Sequence, residues 1–168
     1  SLLNNRQLRD KCVERYEVLD KVKKLLLLPG TELATVKQIA EFYEVGEEAI
    51  VAIYSRHSDE LESDGVKVVK YKELSNLQYE SLKTSKGKVT FVFKDGNILD
   101  FSTSGQKLFP RRAILRVGML LRDSNVAKEI RTQLLNIEEK ATPEIKTQDI
   151  KEEAKLMLDV VKAALNGD

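Results

Sequence analysis

Thr35 to Leu61 reads TVKQIAEFYEVGEEAIVAIYSRHSDEL, and the spacing of its small and apolar residues decides the fold. Two helices that cross closely need a small residue at the crossing, which Ala40 supplies. Val45, five positions on, plugs a turn, and Ile50, five further, anchors the second helix, with Ile39, Phe42, Ile53 and Tyr54 completing the buried side. That pattern predicts a helix-turn-helix, a unit whose second helix commonly lies in a DNA groove. The turn carries Glu44 where a glycine commonly sits, with Gly46 two positions later, and any apolar helical hairpin shares the spacing.

Working outward, Leu8, Cys12, Tyr16, Leu19, Val22 and Leu26 recur at helical spacing, which predicts one helix from about Asn5 to Leu28 ended by Pro29-Gly30. It could pack on its own domain or pair with a copy of itself. After Leu61, Asp64-Gly65 marks a turn, Val66–Tyr71 reads as a strand, and Lys88–Phe93 and Asn97–Phe101 flank the hairpin signal Lys94-Asp95-Gly96. Pro110 suits the start of a helix from Arg111 to Leu121, and Asp123 or Ser124 can cap another from Asn125 to about Lys140. Ala141 to Lys146, with Pro143, reads as a linker. A last amphipathic helix then carries Ile150, Ala154, Met157, Leu158, Val161 and Leu165, with Gly167 past its end. The expected fold class is α+β: a helix-turn-helix with a small antiparallel sheet, winged-helix-like, flanked by long N- and C-terminal helices. The organisation follows as an N-terminal helix over 1–30, a DNA-binding-like core over 31–140, and a linker and helix over 141–168.

Net charge is only +1 over 168 residues, which argues against indiscriminate nucleic-acid binding, but the charge is uneven. Residues 30–61 hold two basic and seven acidic side chains, whereas 62–125 hold twelve and seven. Since neutralising phosphates supplies much of DNA affinity, the grip has to come from outside the helix pair. Candidate DNA-contacting residues are Lys37, Ser55, Arg56 and His57, then Lys67, Lys70, Lys86 and Lys88 in the strand-rich part, and Arg111, Arg112 and Arg116. For each lysine, solubilising an exposed strand is the competing role. For the arginines it is internal ion pairing with Glu129, Glu138 or the acidic helix pair. Glu47 and Glu48, at the start of the second helix, repel phosphate unless they read cytosine.

Enzymatic chemistry is not expected. The single histidine, His57, follows no nucleophile motif and reads as an exposed polar residue. One cysteine and one histidine cannot build a zinc site, and there is no glycine-rich phosphate loop. No cofactor or metal is expected. Cys12 reads as a small buried hydrophobe. No apolar run approaches the ~20 residues of a membrane span, so a cytoplasmic protein without a membrane partner is expected, and Ser1 in place of an initiator methionine is read as the mark of an excised piece or of a tag scar.

The ordering of TVKQIAEFYEVGEEAI, a strand-rich middle, and LFPRRAILRVGMLLRDSNVAKEIRTQLL resembles the amino-terminal DNA-binding domains of phage and prophage antirepressors, the Bro-N and KilA-N group. Within it the run Ser124, Ala127, Lys128, Arg131 matches a loose motif of that group. The resemblance spans roughly Thr35 to Leu135 and implies a phage-type transcriptional regulator whose partners are double-stranded DNA, a repressor protein as the alternative, and a second copy in a homodimer. The nucleic-acid reading requires basic side chains from separate stretches to converge on one face, and guanidinium groups buried against internal carboxylates would be lost to it.

Overall fold

The computed structural model describes residues 1–165 and divides the chain into two compact units, Ser1–Arg131 and Thr132–Asp168. The class is α+β, with two small antiparallel sheets of three strands each.

The first unit opens with a short 3-10 turn and helices α1 (Arg6–Cys12) and α2 (Glu17–Val22). The single long helix expected over 5–28 is corrected here. Its periodic residues are divided between two short helices, and Tyr16 and Leu26 lie exposed. A straight helix of that length would run roughly 36 Å, past the end of a small core. The break after Cys12 lets Cys12, Val13, Val18 and Leu19 all be buried. Leu25 and Leu28 are then buried from extended chain.

Strand β1 (Leu33–Thr35) leads into α3 (Val36–Tyr43), and Thr35 starts the helix through a capping box. Its Oγ1 accepts from Gln38 N at 3.2 Å, and Gln38 Oε1 accepts from Thr35 N at 2.9 Å. Ala40, Ile39 and Phe42 are buried against α4 (Glu47–Arg56), whose own anchors are Ile50 and Ile53. The connection is three residues, and Glu44 sits in the left-handed region at φ 57°. Lys23 stabilises this end of α3: its Nζ donates to Phe42 O at 3.0 Å and lies 3.2 Å from Glu44 Oε1.

A non-glycine residue in that conformation costs about 1 kcal/mol, and an exposed ion pair contributes less than that. Glu44→Gly is therefore expected to raise stability by about 0.5 kcal/mol after the unfolded-state entropy of glycine is counted. A urea melt showing lower stability would mean that the Lys23 contact outweighs the backbone strain.

After α5 (Ser58–Ser63), β2 (Lys67–Val69) forms one edge of the first sheet. The chain then inserts a meander, β3 (Ser81–Ser85), β4 (Lys88–Val92) and β5 (Ile98–Ser102), before returning as β6 (Gln106–Pro110). β6 lies between β1 and β2, pairing Ala34 with Phe109 and Val68 with Lys107. Three of these strands carried no usable pattern. β3, SLKTS, is an edge strand with only Leu82 turned inward, and β1 and β6 are defined by pairing with each other. The meander buries Val89, Phe91, Leu99 and Phe101 against Leu28, Val69 and Leu108, so one apolar core joins the two sheets.

Pro110 precedes α6 (Arg111–Leu120), whose middle is almost wholly buried. Tyr43 of α3 crosses it at Gly118 and donates its hydroxyl to Ile114 O at 2.6 Å; burial pushes that phenol's pKa up. A methyl group at Gly118 would stand 2.5 Å from the Tyr43 hydroxyl, which explains the glycine inside a helix. Ser124 caps the next helix by accepting from Ala127 N at 3.1 Å while donating to Tyr43 O at 2.7 Å.

That next helix, α7 (Asn125–Leu165), begins in the first unit and makes up the described part of the second. It continues through Pro143, correcting the linker expected over 141–146. Proline removes one backbone donor, and the glutamates, lysines and alanine around it are strong helix formers. Met157, Leu158, Val161 and Leu165 are exposed, the side chains of Ile150 and Ala154 lie outside the described residues, and so does the cap expected at Gly167.

Candidate nucleic-acid interface

The outward side of α4 carries Glu47, Glu48, Val51, Ser55 and Arg56, all exposed. α4 is held from beneath by Ile50 and Ile53, which leaves its polar side outward. Beside its start, Thr35, Lys37 and Glu47 line a groove with Ile98, Asp100 and Gln106. This brings the meander next to the beginning of the helix pair. Asp100, which accepts from Thr90 Oγ1 at 2.7 Å and lies 3.5 Å from Lys88 Nζ, has its carboxyl lowered by the Thr90 bond first, then by Lys88 and Lys37.

The lysines divide by position. Lys67 and Lys70 are exposed at the edge strand and the segment after it, and Lys86 is at the exposed turn between β3 and β4. Lys83, on the outer side of β3, pairs across the ladder with Thr90. None of Lys67, Lys70, Lys83 and Lys86 enters an ion pair among the described residues. Lys88 is shared with Asp100. Lys107 takes a different role: its Nζ lies 3.4 Å from the centre of the Tyr54 ring, and burial lowers its pKa.

Arg111, Arg112 and Arg116 all meet carboxylates. Arg116 is 2% exposed, with Nε 2.7 Å from Asp64 Oδ2, Nη2 3.0 Å from Asp64 Oδ1, and Nη1 2.9 Å from Glu60 Oε1 and 2.7 Å from Asp10 Oδ1. Arg9, also buried, grips Glu60 with two bonds of 2.8 Å. His57 completes the cluster with Nδ1 3.3 Å from Glu60 Oε2, so it is half-buried and engaged, not the free polar residue expected. Arg112 bonds Glu14 and stands 3.9 Å from Asp64, and its Nε is buried without a partner among the described residues. Arg111 bonds Glu32 at 2.7 Å and Asp20 at 2.9 Å, and the Glu32 bond above all raises its pKa.

Arg116 is thus a buried tie between α6, α1 and the end of α5, whereas Arg111 and Arg112 are partly exposed and pair with carboxylates at the surface. Their carboxylate partners lie in the first 32 residues and in α5 and its end, Glu60 among them. Part of this was legible: Arg9 lies three before Cys12, which places a charge on a buried stripe, and buried charge demands a partner. Arg131, from the motif run, likewise turns inward and donates to Gly118 O at 2.9 Å and to Leu121 O.

No helix among the described residues is long and apolar enough to cross a membrane. No protein-family model matches the chain, and no curated protein or solved structure matches it.

Proposed function

We propose that this chain is a sequence-specific DNA-binding transcriptional regulator built on a winged helix-turn-helix, with α3 and α4 as the helix pair and the inserted meander as an enlarged wing. The observation that carries the reading is connectivity. The helices α3, α4 and the short α5 lie between strand β1 and strand β2, and the returning strand β6 pairs with both, so the sheet order is β1-β6-β2. The β2-to-β6 excursion then falls where a wing belongs, and it carries Lys83, Lys86 and Lys88. In this reading Ser55 and Arg56 face base edges while Lys37 and the wing lysines neutralise phosphates. The phage or prophage setting rests on the resemblance of TVKQIAEFYEVGEEAI and the later helix pair to antirepressor domains. A homodimer would use the exposed apolar residues of α7, Met157, Leu158, Val161 and Leu165.

A second reading has its own observation. Glu47 and Glu48 lie one turn before the exposed Val51 on α4, an acidic helix start beside an apolar residue that suits the basic surface of a repressor protein better than a phosphate backbone. Titrating labelled duplexes from the neighbouring DNA at two salt concentrations separates the two. Duplex-selective binding that weakens steeply with salt supports the regulator, and no shift at low salt leaves the repressor-binding module.

A further inference from the structure

Between the segment 71–79 and the end of β4 runs an open groove of about 840 Å³, away from α4. Its walls combine two kinds of side chain. Tyr71, Tyr79 and Phe91 form an aromatic group, with Tyr79 and Phe91 5.0 Å apart at 64° and Tyr71 and Phe91 6.3 Å apart at 66°. Phe91 is buried, but Tyr79 is 44% exposed. Lys72 and Lys94 are the charged residues of the lining, and Lys72 Nζ lies 6.0 Å from the centre of the Tyr71 ring.

The exposed ring is held from both sides. Gln78 N donates to Pro29 O and Glu80 N to Val92 O, each at 2.8 Å, so the backbone around Tyr79 is tied to two other parts of the unit. Of the nearby carboxylates, Asp95 accepts from Asn97 N and Nδ2, Glu73 accepts from Lys70 N and lines a different groove, and Glu80, exposed beside Tyr79, is outside the lining. No carboxylate lines this groove, and neither lysine forms an ion pair among the described residues. The ligand that fits is anionic and carries a flat π face. An acidic peptide would satisfy the lysines and leave the rings unused, whereas a nucleotide satisfies both.

We propose that this groove binds an unpaired stretch of nucleic acid, with a base stacked on Tyr79 and phosphates against Lys72 and Lys94. Aromatic stacking of this kind is tolerant of base identity and salt-dependent through the backbone contacts. The proposal does not depend on how α4 and the wing are used. A duplex presents its bases already stacked and has no face to offer Tyr79.

The test is fluorescence anisotropy of a labelled thymidine octanucleotide with the whole chain, at 20 mM and 200 mM salt as on the order of low and physiological strength. Tyr79→Ala is expected to weaken binding about tenfold or more, Tyr79→Phe to bind as the parent does, and the Lys72→Ala/Lys94→Ala double variant to flatten the salt dependence. Because Tyr79 is half in solvent, circular dichroism of Tyr79→Ala should match the parent. Absence of binding at low salt overturns the proposal. So does an equal loss in Tyr79→Ala and Tyr79→Phe, a polyglutamate peptide that binds as well as the oligonucleotide, or a free thymidine nucleotide that binds as tightly as the strand. Duplex binding unaffected by Tyr79→Ala would leave the reading of α4 untouched in either case.

Discussion

Arg116→Ala is expected to lower the stability of the first unit by about 3–5 kcal/mol, the cost of removing one partner from a buried ion pair. For a chain of this size that is a fall in Tm of about 6–20 °C. The reason lies in what remains. Asp64 would lose the two bonds of 2.7 and 3.0 Å that hold it, and Glu60 would keep only Arg9 and His57. Both carboxylates are buried, so water cannot replace the guanidinium.

The pH dependence gives the prediction a second readout. Burial raises the Glu60 carboxyl, but the Arg9 bonds and the fields of Arg9 and Arg116 outweigh it and hold the pKa below its ordinary 4.5. A lowered folded pKa means that the cluster's contribution is complete above the ordinary carboxylate range and is lost as pH falls through the folded value. The parent should therefore lose stability in acid below about pH 4.5. In Arg116→Ala the field of Arg116 no longer holds the Glu60 carboxyl down, so the gap between variant and parent should narrow as the solution is acidified. Thermal melts from neutral pH to about pH 3 check this. A gap that is small at neutral pH would show the cluster to be solvated instead of buried.

The second large effect concerns DNA. On the proposed reading, Lys83→Ala/Lys86→Ala should weaken duplex binding by about tenfold to a hundredfold at moderate salt and reduce the salt slope by about 2, since each lost phosphate contact removes roughly 0.9. Arg111→Ala/Arg112→Ala should leave that slope unchanged, because those guanidinium groups hold Glu32, Asp20 and Glu14. Binding titrations of both double variants over a salt series make the comparison. A slope that falls with the arginines and not with the lysines would reverse the assignment of the surface.

The contrast between these two groups shows what kind of information each residue carried. Lysines in alternating strands, such as Lys67 and Lys88, are exposed because they alternate with the apolar residues of their strand, and that much follows from local pattern. Arginines in an apolar helix were ambiguous. Their neighbours Ala113, Leu115, Val117 and Met119 require a buried helix, but whether Arg116 would snorkel to solvent or meet a carboxylate depends on Asp10 and Asp64, 106 and 52 residues away in the chain.

The same division holds for the backbone. The helix pair at 36–56 is written locally, since Ala40, Val45 and Ile50 lie within a few turns of one another and their spacing alone brings two helices together. The β4–β5 hairpin is likewise specified by Lys94-Asp95-Gly96 between two apolar-alternating runs. The division of the first helix into two, the pairing of β6 with both β1 and β2, and the passage of α7 through Pro143 are not local choices. They arise from how much core a helix can cover, from hydrogen bonds between strands more than 30 residues apart, and from the surplus of good helix formers over one missing donor. By itself the sequence determined that this chain has a helix pair of close crossing and a lysine-rich β segment. Only tertiary structure decided that Arg116 fastens the interior, because the energy of a buried charge is set by whichever opposite charge the fold brings within 3 Å of it.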